Sequence, residues 1–184
     1  MTTNTLRYDV TTALTLIFPN IPFINETRSK HDKAYKRWMP HINFLFPFVE
    51  EEHIADMKTR LTKALSGVKP FQVDLNNLNY FPQGKKKVTF HLKPTSQSEL
   101  NNIYTIVRST LPEVYVKHPE FRAHLTLGQC SKQDFQSLNQ ELQVKMKTAD
   151  LTFDVDALYI IQRSKTDKEE PFQIVHKIEF GSNT

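Results

Sequence analysis

Two short segments, PHINFLF at 40–46 and AHLTLGQ at 123–129, repeat one pattern at positions 83 residues apart. Each reads His, apolar, small polar, apolar. In an extended chain successive side chains point to opposite faces. His41 and Asn43 then share a face opposite Ile42 and Phe44, and Arg122, His124 and Thr126 share a face opposite Ala123, Leu125 and Leu127. A strand that is polar on one side and apolar on the other must lay its apolar side on a core and leave the other open to water or to a cleft. This excludes the interior strand of a doubly covered parallel sheet, which is apolar on both faces.

The rest of the chain fits the same antiparallel plan. Thr12–Phe18 is a short apolar run closed by Pro19, read as a strand; 25–37 is polar and charged, a helix or an ordered loop. Trp38–Val49 reads as a strand with Pro47 near its end. Ile54, Met57, Leu61, Ala64 and Leu65 fall at helical spacing, so Glu50–Leu65 is expected to be a helix, with Glu50–Glu52 in the turn that favours negative charge. Phe71–Phe81 and Lys87–Lys93 are expected strands around a Pro82–Lys86 turn. Ser96 with Glu99, and Ser131 with Asp134, are capping-box pairs ahead of helices at Leu100–Leu111 and about 132–147. Phe121–Gln129 is a strand, and Leu151–Arg163 with Phe172–Phe180 a closing hairpin. Only four glycines, no Ser/Gly linker and no shift in composition appear. The expectation is a single α+β domain over residues 1–184, with motif strands near 38–49 and 121–129.

Composition narrows the function. A hydrophobic share of 39% and a charged share of 24% suit a folded soluble chain rather than a disordered one. The net charge of +4 favours anionic ligands without requiring one. Its densest run, Lys85–Lys87 beside Gly84, reads as a solvated loop tip rather than an RNA track. A lone cysteine, Cys130, excludes an intramolecular disulfide and a metal site built on several thiolates. No secretory pattern opens the sequence, and Ala13–Phe18 is too short to span a membrane. A cytoplasmic protein, with a nuclear location also open, is expected, acting as a monomer and without a membrane partner.

The paired strands suggest a chemistry. Cleaving a phosphodiester requires one proton removed from the nucleophile and one delivered to the leaving oxygen. Two histidines titrating near neutrality can do both, without a metal or a cofactor. Asn43 and Thr126 can donate hydrogen bonds to the non-bridging phosphate oxygens. A lone strand histidine is more often a solvated or structural residue, but two in the same context point to a shared site. Arg122, on the His124 face, could meet a phosphate or form a rim ion pair. Tyr159 and Arg163 share a strand face, and Tyr159 could stack on a base or pack in the core. His31, His53, His91, His118 and His176 lack the repeated context; His91 could face the cleft from a strand, but is read as structural.

These motifs resemble those of the two-histidine phosphoesterase superfamily, which includes the 2′-5′ RNA ligase-like and cyclic phosphodiesterase families and whose signature is two copies of His-x-Thr/Ser. RWMPHINFLFPFV, VTFHLKP, FRAHLTLGQ and the LYIIQRS–EPFQIV hairpin follow the family's order over about residues 10–180. The resemblance implies a bilobal fold, two lobes of antiparallel sheet and helices related by a pseudo-twofold axis, with the motif strands facing a central cleft. It implies His41 as proton donor, His124 as proton acceptor, and Asn43 and Thr126 as phosphate ligands, with Arg122, Tyr159 and Arg163 as candidates for the rest of the substrate. The implied substrate is an RNA end, oligonucleotide or nucleotide carrying a 2′,3′-cyclic phosphate or a 2′,5′ linkage. Asn43 departs from the family's Thr or Ser, which leaves open a module that binds nucleotides without turning them over. A purely structural interaction protein, using the Phe-rich 44–48 segment, would leave the paired motifs without a purpose.

Overall fold

The computed structural model describes residues 6–181. It is an α+β protein in which every strand pairing among these residues is antiparallel. The unit strand–helix–motif strand–helix occurs twice. In the first, β2 (Thr12–Ile17) leads through α1 (Pro22–His31) to β3 (His41–Leu45) and α2 (Glu51–Leu65). In the second, β7 (Lys87–Lys93) leads through α3 (Ser98–Thr110) to β8 (Leu125–Ser131) and α4 (Lys132–Met146). β3 pairs with β2, and β8 with β7.

Each unit is widened on its far side. β10 (Ala157–Gln162) and β11 (Gln173–Glu179) extend the first sheet to the order β11-β10-β2-β3, and β6 (Asn77–Gln83) extends the second to β6-β7-β8. Both motif strands are therefore edge strands, and the two edges approach one another. Two small ribbons complete the fold: β1 (Tyr8–Asp9) with β4 (Phe48–Val49), and β5 (Phe71–Asp74) with β9 (Thr152–Val155).

One apolar core runs beneath both larger sheets. Leu14, Leu16, Ile42 and Phe44 enter it from the first, and Leu78, Phe90, Leu92 and Leu125 from the second. Burying each such side chain contributes about 1.5–3 kcal/mol. Ile54, Met57, Leu61 and Leu65 of α2 cover this core, on the spacing read from the sequence.

Several expected boundaries shift. Trp38–Val49 is not one strand: Pro47 has no N–H to continue the ladder, and beyond it Phe48 and Val49 leave β3's sheet for β1. Phe71–Phe81 divides between β5 and β6, and Leu151–Arg163 between β9 and β10, each pair in two sheets. The segment 25–37 is helical only as far as His31. Ser131 caps α4 as expected, its hydroxyl accepting from the Asp134 N–H at 3.0 Å and donating to the Asp134 carboxylate at 2.6 Å. The Ser96–Glu99 capping box does not form; Gln97 stands at the N-cap of α3 with no side-chain bond. β8 begins only at Leu125, so Arg122 and His124 precede the ladder.

Candidate active site

His41 opens β3. Its Nδ1 lies 2.7 Å from the Met39 carbonyl, two residues back. His124 stands just before β8, with its Nδ1 2.7 Å from the Arg122 carbonyl, again two residues back. The sequence repeat is thus a repeat of side-chain geometry. In both rings the Nδ1–H donates to a fixed backbone acceptor, which leaves Nε2 as the nitrogen not taken up by that bond.

The surroundings of the two rings differ. Trp38 stacks on His41, with centroids 4.5 Å apart and planes 23° apart. The same indole meets Phe172 at 4.0 Å and Phe46 at 5.0 Å. Cross-strand partners place Tyr159, Thr15 and Asn43 in one row of the first sheet, on the His41 face. Tyr159 packs at the margin of the aromatic cluster around Phe172, and the Arg163 guanidinium lies 5.1 Å from the Phe172 ring centre. The structure thus brings Tyr159 and Arg163 to the His41 side. Arg122 is exposed and pairs with Glu120 at 2.6 Å, the rim ion pair that its position in the sequence also allows.

On the other sheet, Asn79, His91 and Thr126 form the corresponding row. His91 is 2% exposed, stacks on Phe81 at 4.2 Å, and has its ring centre 5.2 Å from that of His124. Phe81 also meets His124 edge-on at 4.9 Å. His91 is thus buried, as a structural histidine would be, and lies beside His124. The signal that could have found this proximity was alternation in VTFHLKP, which sets Thr89, His91 and Lys93 on the face opposite Val88, Phe90 and Leu92.

Asn43 is the second distinctive feature. Its Nδ2 lies 3.2 Å from His41 Nε2, and its buried Oδ1 has no partner among the described residues. A Thr hydroxyl is too short to reach back in this way. The amide N–H meets the lone pair of the nitrogen that would carry a proton, and so favours neutral His41.

Electrostatics act in the same direction. Burial pushes the His41 imidazole down to about 4, aided by the Arg28 guanidinium and the charge of His124 and opposed by the Met39 hydrogen bond and Asp32. Part of its surface stays open, but the ring is packed closely on most sides. Burial also lowers His124, against its bond to the Arg122 carbonyl.

A buried ion pair stands behind the site. The side chains of Arg28 on α1 and of Asp32 at its C-cap, each 2% exposed, bind at 2.8 Å. Arg28 also donates to the Trp38 carbonyl at 2.9 Å, and Asp32 accepts from Gln129 of β8 at 3.4 Å. The helix thereby joins the segment entering β3 to the strand that follows His124. The group of three His, Cys, Asp or Glu side chains close enough to share a metal ion, among the described residues, is Glu50, Glu52 and His53, none of which belongs to this histidine set. No described helix is long and apolar enough to cross a membrane.

A fold carrying two edge strands, each with a histidine locked by the carbonyl two residues back, defines a two-histidine protein. The chain belongs to the 2′-5′ RNA ligase superfamily, whose family model matches residues 19–167. Among solved structures it is similar to TT0787 of Thermus thermophilus, with a TM-score of 0.64 and 13% identity over 94% of this chain and 99% of that one. It is also similar to E. coli LigT complexed with 3′-AMP, with a TM-score of 0.60 and 12% identity over 93% of this chain and 98% of LigT. Kluyveromyces marxianus Usb1 matches with a TM-score of 0.51 and 11% identity over 92% and 97%. A comparison with curated proteins finds no match.

Proposed function

We propose that this protein is a metal-independent phosphoesterase that opens 2′,3′-cyclic phosphates or cleaves 2′,5′ linkages on RNA ends, oligonucleotides or nucleotides. The observation that carries this reading is the shared locking of His41 and His124 by backbone carbonyls, each at 2.7 Å. It supports reading the two imidazoles as one acid–base pair working through Nε2, with His41 Nε2 held beside the Asn43 amide until the substrate binds. The two strand–helix–strand–helix units are the two lobes of one domain, and the approach of β3 to β8 is the base of the cleft.

In this mechanism His124 Nε2 accepts the proton of the attacking hydroxyl or water, and His41 Nε2 delivers one to the leaving oxygen. Thr126 and Asn43 hold the non-bridging oxygens. The anion raises the pKa of both rings, which supplies the proton that free His41 lacks. Once His41 carries that proton, a half-turn of the Asn43 amide would present its unpartnered Oδ1 in place of the N–H. Tyr159, Trp38 and Arg163 offer aromatic and cationic surface for the base and backbone of the substrate, with Arg122 at the rim. The complexes of LigT with 3′-AMP, phosphate and ATP fit a nucleotide phosphate as the ligand class.

One observation favours a second reading. The Asn43 contact and the low pKa keep His41 neutral in the free protein, as suits a module that binds nucleotides without cleaving them. Turnover of 2′,3′-cyclic nucleotides and 2′,5′-linked dinucleotides by the purified protein separates the two. Binding without turnover would replace the enzyme reading with the binding one, and absence of both would overturn the site.

A further inference from the structure

Resting on the phosphate site proposed above, we infer that His91 is a third phosphate-binding residue, donating a ring N–H to the phosphoryl group held between His124 and Thr126. His91 stands directly across the ladder from Thr126, its ring centre 5.2 Å from that of His124. The paired units make the choice of residue informative. The corresponding place in the first sheet, across from Asn43, holds Thr15, whose hydroxyl is satisfied by the carbonyls of Leu16 and Ile42 at 2.7 and 3.0 Å. His91 has no such provision. It is 2% exposed, yet its Nδ1 has no hydrogen-bond partner among the described residues. The Thr89 backbone is near enough to favour its charged form without completing a hydrogen bond to Nδ1.

A buried, unsatisfied imidazole is costly when an apolar residue could fill the same volume. A packing role asks only for a flat ring against Phe81, which Phe would fill without an orphaned nitrogen. The cost makes sense where a ligand supplies the missing acceptor. A phosphoryl group does so, since each of its two non-bridging oxygens can accept more than one hydrogen bond, leaving acceptor capacity beyond what Asn43 and Thr126 serve. Burial and the charge of His124 push His91 down to about 4, so the ring is neutral in the free protein and presents its N–H without repelling its neighbour.

The test is titration of inorganic phosphate into the full chain labelled with 15N-histidine. The expected result is that the ring nitrogens of His91 and His124 shift together along one binding curve. A response at His124 with none at His91 overturns this assignment and leaves the two-histidine site intact. No response at any histidine overturns the phosphate site, and this assignment with it. His91→Phe keeps the ring stack on Phe81 and is expected to weaken phosphate binding at least tenfold, read at His124. His91→Gln, which restores an N–H, should recover part of that loss. Unchanged affinity in a folded His91→Phe protein also rejects the proposal. Should that variant fail to fold, the wild-type titration still decides.

Discussion

At the scale of single residues, the proposed mechanism depends on two nitrogens whose protonation must differ. Each Nδ1 is engaged by a carbonyl at 2.7 Å, so truncating either histidine removes one end of the proposed proton-transfer cycle; at His41 it also removes the ring that Trp38 stacks on, so folding is checked alongside activity. His41→Ala and His124→Ala are each expected to lower turnover of a 2′,3′-cyclic nucleotide by on the order of 10²–10⁴-fold, the usual worth of general acid–base catalysis. Their losses should not add, because the two residues act as a unit. Wild-type rates in either folded variant would sink the mechanism. Asn43 gives a finer test. Its Nδ2 donates to His41 Nε2 at 3.2 Å, which stabilises the neutral ring. Asn43→Thr removes that donor, so the His41 pKa should rise from its value of about 4 when followed by NMR. A fall, or no change, would show that the amide faces the ring with its oxygen instead.

At the scale of elements, the packing of α1 on β8 decides how the two motifs are held relative to each other. A Cβ at Gly128 would lie 2.5 Å from the His31 Cβ and 2.7 and 2.8 Å from its carbonyl carbon and oxygen. Backbone atoms cannot swing aside, so Gly128→Ala must push α1 outward. Overpacking of this kind costs about 1–3 kcal/mol, which a denaturant midpoint would show directly. The same displacement would pull Arg28 from the Trp38 carbonyl and Asp32 from Gln129, so activity should fall as well as stability. Asp32→Ala would leave the buried Arg28 without its counter-charge, holding only the Trp38 carbonyl, at a cost of about 3–5 kcal/mol. None of this was legible in the sequence. Alternation along 40–46 and 123–129 reveals the two faces of the motif strands, and periodicity reveals α2, because both signals are local. The Arg28–Asp32 pair occupies one helical turn of a polar segment, and nothing local says that it is buried. The sequence leaves His91 among the structural histidines because its relation to His124 exists only across a ladder. Ladders also split the runs at 38–49, 71–81 and 151–163, where a continuous strand pattern passes from one sheet to another.

At the scale of the whole molecule, two sheets meet edge to edge over one core and enclose imidazoles that the fold keeps uncharged. This couples the site to stability through protons. Burial lowers His41 and His91 from 6.5 to about 4, and His124 in the same direction. Between those values the unfolded chain binds protons that the folded chain refuses, so stability must fall as pH falls. The histidine contribution is complete above about pH 6.5, declines through the window, and is constant below about 4. For His91, which is 2% exposed, the shift corresponds to on the order of 3 kcal/mol; His41, with part of its surface open, contributes less. A second loss overlaps the bottom of this window. The Arg60 hydrogen bond holds the Glu113 carboxyl below its usual 4.5, so its contribution is lost as pH falls from about 4.5 through that lower value. Denaturant unfolding from pH 7.5 to 3.5 should therefore show a decline that starts near 6.5, before any carboxylate titrates. His91→Phe should flatten the upper part of that decline and leave the lower part unchanged. Phosphate present throughout should flatten it too, since the bound anion lets the folded site take up the protons it otherwise refuses. A stability curve level from pH 7.5 to 5 would mean that these rings are not held neutral, and that His41 enters the reaction already charged.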